Sequence, residues 1–188
     1  IKMKKKLPVD KKKSQVKKIK LAIFAILGII LLIKLSKGLF FIIIFTYITY
    51  MGKQIRGAYG LKMVVLDPLI FCSVLLATYV DLKSAVIFIL LNTIIIDFIT
   101  NIASEGTFFN FVFFSIGTLV GVGLFSNLGL MISGTISAFL YSLMYWSFRT
   151  FVIPNPPHEV ISKVVTSFMF TFFYLTMLGP LFNLIMSI

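Results

Sequence analysis

One cysteine, one histidine and six acidic residues are all that this sequence offers to disulfide, metal and carboxylate chemistry. With no second cysteine an intrachain disulfide is excluded, and Cys72, set in an apolar run, is expected to be a buried thiol. His158, in the loop PNPPHEV, has no Cys or His near it in sequence to complete a metal-ligand spacing and reads as an interfacial residue. The sequence contains no long repeat, zinc spacing, Walker loop, nucleophile elbow or heme-attachment motif. Nor do a nucleophile, a base and an orienting group occur together, so an autonomous enzyme is not expected. Charge is scarce as well: 13% of residues are charged, 59% are hydrophobic and the mean hydropathy is +1.05. A soluble core is thereby excluded, and the composition predicts an all-α, polytopic integral membrane helix bundle embedded in the lipid bilayer.

What charge there is has one sign and one place. Of 18 Lys and Arg, the tail 1–20 holds Lys2, Lys4, Lys5, Lys6, Lys11, Lys12, Lys13, Lys17, Lys18 and Lys20. Such a tail is expected to lie in solvent or against headgroups and to hold the N-terminus on the negative side of the membrane. No aromatic residue interleaves with it for base stacking, so no nucleic-acid partner is expected. Being Lys-only and carrying Pro8, it also makes a poor import signal.

Hydropathy divides the remainder into segments near 19–33, 38–51, 63–80, 85–103, 107–126, 129–148 and 163–187. Most are long enough for a bilayer core of about 30 Å, which takes roughly 20 helical residues. The first two are short and read as two tight crossings, one broken helix, or one crossing with an interfacial piece. The expected organisation is a basic tail at 1–20, an N-terminal membrane extension of one or two spans at 21–60, and a five-helix core at 61–188. With two early crossings, Lys53, Arg56, Lys62, Arg149 and Lys163 join the tail on the inside and leave Lys34, Lys37 and Lys83 outside. That distribution favours seven spans.

Two features stand out within the spans. Thr93, Asp97, Thr100, Asn101 and Ser104 form one stripe at helical spacing. A carboxylate in lipid is expensive, so Asp97 is expected to face protein or water; the stripe either hydrogen-bonds a partner helix or lines a proton or ion path. Asp67, before Pro68, and Glu105, before Gly106, read as helix-boundary acids and are weaker candidates of the same kind. The second feature is GTFFNFVFFSIGTLVGVGLF at 106–125. Gly117 and Gly121 are spaced as a notch for close helix approach, echoed by Gly134/Ala138 and Ser133/Ser137 in the next span, and Gly123 adds a third glycine. The alternative is conformational, because glycines lower the cost of a kink or π-bulge.

Three patterns in residues 63–188 resemble subunit 6 of respiratory complex I, the proton-pumping NADH:ubiquinone oxidoreductase. VDLKS at 80–84 takes the place of the family's Asn-Pro-x-x-Ala/Ser, with Ser84 matching; FSIGTLVGVGLF at 114–125 takes the place of its Tyr-x-Gly run, with Gly117 matching; and LTMLGPLF at 175–182 resembles its last helix, with Gly179 matching. Val80 and Asp81 stand where Asn and Pro are usual, Ser115 where Tyr is usual, and Phe111 where some members have Glu. The third core helix is therefore better suited to bend than to carry protons. The resemblance implies a non-catalytic membrane-arm subunit that binds no cofactor itself, within a complex that uses NADH, FMN, iron–sulfur clusters and ubiquinone. It further implies other hydrophobic subunits as partners and a π-bulge hinge near Ser115–Gly121, with Phe111, Gly121 and Gly123 beside it. The bias toward Ile, Phe and Lys fits an AT-rich organellar genome, as Ile1 fits an unusual start codon, so the mitochondrial inner membrane is the expected location and a prokaryotic plasma membrane the alternative. A substrate-binding S-component of a vitamin transporter, which has about six short-looped helices, is the competing expectation, although Ala22, Ala25 and Gly28 do not follow that family's Ala-x-x-x-Ala spacing; a structural subunit of another membrane assembly is a third.

Overall fold

The computed structural model describes residues 37–59, 68–100, 103–104, 106–153 and 155–186. Among them the chain is all-helical, with seven helices and no strand. These are α1 (Lys37–Ala58), α2 (Leu69–Tyr79), α3 (Leu82–Ile99), α4 (Thr107–Phe125), α5 (Leu130–Phe151), α6 (Pro157–Met177) and α7 (Gly179–Met186). Four of them, α1, α3, α4 and α6, are long and apolar enough to cross a membrane. The protein is a multi-pass membrane helix bundle. It divides into two compact units, 1–40 and 41–188; the segment near 19–33 and the lysine tail lie outside the described residues.

The helix boundaries differ from the hydropathy segments in instructive ways. The second segment, expected at 38–51, is a 22-residue helix and so long enough for a full crossing. Hydropathy truncates it because the polar residues of GKQIRGA enter the window although they are helical. The third segment shrinks instead: α2 has 11 residues, or about 16 Å of helix, roughly half a bilayer core. All of Leu69 to Leu76 is buried, and α2 packs against α3, α4, α5 and α6 as the centre of the bundle. A helix apolar on every side is stable only when surrounded in this way.

Asp81 then restarts the chain. It has extended backbone, and its side chain accepts from the Ser84 amide at 2.5 Å and the Ser84 hydroxyl at 3.0 Å, a helix N-cap that begins α3 ahead of the expected residue 85. The last expected segment, 163–187, is two helices. Pro180 has no amide to continue the ladder, so α6 stops at Met177 and α7 begins anew at Gly179. The turn between α4 and α5 depends on Gly129, whose φ of +92° is open to glycine at little cost.

Helices α4 and α5 form the closest pair. A methyl group on Gly117 would lie 2.9 Å from the Ser137 carbonyl, and one on Gly121 would lie 2.8 Å from both the Ser133 carbonyl and the Ser137 amide. The absent side chains are what allow the two backbones to touch. Phe114 stacks on Tyr141 with ring centroids 3.9 Å apart one turn further on.

The π-bulge expected near Ser115–Gly121 is not there: Thr107–Phe125 is one continuous α-helix. Its glycines are occupied in contact with α5, which braces the helix. The π-helical turn among the described residues is Leu91–Ile95, in the preceding helix.

Candidate functional site

Helix α1 carries Thr46, Thr49 and Lys53 at steps of three and four, which puts them on one face. Phe45 meets Phe88 at 6.4 Å, Thr46 meets Asn92, and Lys53 meets Asp97, so α1 and α3 run in parallel with their C-terminal ends together. A lysine near the end of a span usually extends toward the interface. Lys53 turns inward instead and is only 3% exposed, with Nζ 2.6 Å from Asp97 Oδ1. Asp97 is itself 9% exposed. The pair lies toward one end of both apolar spans, Lys37–Ile55 and Leu82–Ile99.

The position of Lys53 corrects the charge distribution read from sequence, where it counted as an inside loop cation. It is a helical residue whose charge is neutralised within the bundle. The polar stripe is likewise only partly what its spacing implied. The Thr93 and Thr100 hydroxyls donate to Ile89 and Ile96 of their own helix at 2.7 Å each, whereas the Asp97 side chain bonds another helix.

Between Asn92 and Asp97 the helix widens. The Ile96 amide bonds the Leu91 carbonyl five residues back, and no glycine or proline lies in Leu91–Ile95 to explain it. Side-chain donors account for the turn. Lys53 Nζ donates to the Asn92 carbonyl, Asn92 Nδ2 to the Phe88 carbonyl at 2.9 Å, and the Thr93 hydroxyl to the Ile89 carbonyl. Carbonyls that lose amide partners in a widened turn must be satisfied within the protein when no water bathes them. Lys53 therefore bridges the two sides of the π turn, holding the Asn92 carbonyl and the Asp97 carboxylate together.

The remaining expected residues are dispersed. Ser84 serves the α3 cap with Asp81. Phe111 is half-buried beside Phe108 at 6.4 Å. Ser115 is 8% exposed, and no donor or acceptor among the described residues reaches its hydroxyl. Gly117 and Gly121 face α5, whereas Gly123 points to open space. Gly179 begins α7, where an added methyl group would lie in ordinary contact, 3.6 Å, with the Leu130 side chain. Cys72 is buried, and His158 is exposed in the first turn of α6. Asp67, Asn101 and Glu105 lie outside the described residues.

Spacing alone did not single out Lys53, Asn92 or Thr46. Asn92 is five residues before Asp97, about 140° away on an α-helix at 100° per residue, and only the π turn brings its carbonyl to the same lysine. The signal for Lys53 was present: a span with three polar residues on one face, opposite a span with a carboxylate that requires a cation. An ammonium and a carboxylate in contact away from water can hold two helices in register. No family model, curated protein or solved structure matches this chain.

Proposed function

We propose that the protein is a non-catalytic membrane subunit of a proton-translocating respiratory assembly, with NADH:ubiquinone oxidoreductase as the specific complex. The observation that carries the reading is the buried Lys53–Asp97 pair, because ionisable groups inside spans are costly and concentrate where protons or ions move. The π turn beside it supports the reading, since such turns are frequent at functional sites. The resemblance through Ser84, Gly117 and Gly179 supplies the identity of the complex. On this reading α3, through Asp97 and its pairing with Lys53 of α1, takes the coupling role that the resemblance alone would give to the helix at 107–125. NADH, FMN, iron–sulfur clusters and ubiquinone are held by other subunits, and the location is the mitochondrial inner membrane.

Mild solubilisation, a native gel and staining for NADH dehydrogenase activity test the assignment. The chain is expected to migrate with the activity, and in the fraction of Asp97→Asn that assembles, pumping per NADH oxidised is expected to fall severalfold. Migration alone or with an ATPase module removes the respiratory assignment. Undiminished pumping in Asp97→Asn reduces the pair to a structural tie.

A further inference from the structure

Asn92 is fully buried and most of its hydrogen-bonding capacity is spoken for. Its Nδ2 donates to the Phe88 carbonyl at 2.9 Å and to Thr46 Oγ1 at 3.2 Å, and its backbone carbonyl accepts from Lys53. These bonds fix the amide orientation, because a flipped amide would press its oxygen against the Phe88 carbonyl. Oδ1 is thereby identified as a buried acceptor that no donor among the described residues reaches. The nearby hydroxyls do not supply one: Thr49 donates to the Phe45 carbonyl at 2.8 Å and Thr93 to the Ile89 carbonyl. An amide oxygen left bare in such surroundings is costly, because it has given up its bond to water without a replacement.

We propose that a water molecule binds at Asn92 Oδ1, between α1 and the π turn of α3, beside the Lys53–Asp97 pair. The chemistry of the place selects the ligand. Oδ1 asks for a hydrogen-bond donor, and the contact pair beside it is neutral overall and recruits no ion by net charge, so a small neutral donor fits. Water also needs further polar partners, and Thr46 Oγ1, half-buried and bonded to the same amide, is one within reach of the site. This inference rests on the reading of the pair as the protein's ionisable centre, but its test does not depend on turnover.

The full chain, reconstituted in lipid bilayers with isotope-labelled asparagine, is examined by transfer of magnetisation from water to the protein in solid-state NMR. The Asn92 side-chain signal is assigned by its loss in Asn92→Gln. Transfer to the Asn92 side chain on the timescale seen for bound water is the expected result, and no transfer above that of lipid-facing side chains overturns the proposal. Should Asn92→Gln fail to fold, assignment through the labelled Leu91–Asn92 sequential pair, the single Leu-Asn step in the sequence, gives the same readout on the unaltered chain. A hydrated Asn92 together with undiminished pumping in Asp97→Asn retains the water site and removes the coupling role. A dry Asn92 with pumping lost in that variant does the reverse.

Discussion

Lys53 determines what Asp97 costs. A carboxylate at 9% exposure inside an apolar bundle is tolerable because an ammonium lies 2.6 Å away, and each charge alone is a liability. Replacing a buried pair by apolar side chains is frequently neutral, whereas removing one partner costs about 3–5 kcal/mol. Lys53→Met and Asp97→Leu are each expected to lower stability by roughly that amount, and the double variant to recover most of it. Unfolding in mixed detergent micelles measures all three; a double variant as unstable as the two losses added would show the residues to be uncoupled. Asp97 was legible from sequence because a carboxylate within apolar residues is conspicuous. Asn92 was not, since its place beside the pair depends on a turn whose cause lies on another helix.

At the scale of elements, α4 and α5 show the glycine spacing performing the bland role that the sequence left open. Gly117 and Gly121 let the α5 backbone approach, and the helix that carries them is regular from Thr107 to Phe125. Gly123, in open space, makes an internal control. Gly121→Ala is expected to destabilise by about 1–3 kcal/mol, because its methyl group would enter the space of Ser133 and Ser137 backbone. Gly123→Ala is expected to be neutral or to stabilise by up to about 1 kcal/mol through helix propensity. Thermal unfolding in detergent compares them, and equal losses at both positions would remove the contact with α5 as the reason for Gly121. The notch was readable because small residues four apart share a helix face. The π turn had no such signature: LNTII contains neither glycine nor proline, and its widened register answers to Lys53, whose residue number is 39 lower than that of Asn92.

At the scale of the whole molecule, the short α2 sets the arrangement. Enclosed by α3, α4, α5 and α6, it keeps Cys72 at 2% exposure. A membrane-permeant maleimide is therefore expected to leave Cys72 unmodified in intact membranes and to modify it fully after denaturation, read by mass; rapid native labelling would contradict a central α2. Phe182 joins the end of the chain to this centre, lying 5.7 Å from Phe71 and 5.5 Å from Phe45. By itself the sequence determined the membrane bundle, because its apolar segments are long and uninterrupted, which suits helices that satisfy their backbone in lipid and not the short, alternating strands of a barrel. It also determined the existence of an intramembrane acid and a glycine contact face, since each is a matter of residue type at helical spacing. Only the tertiary structure decided which cation meets that acid, which helix carries the π turn and which helix is enclosed. Those outcomes depend on contacts between distant segments, where one lysine can alter the register of another helix by capturing a carbonyl that its own amides would otherwise hold.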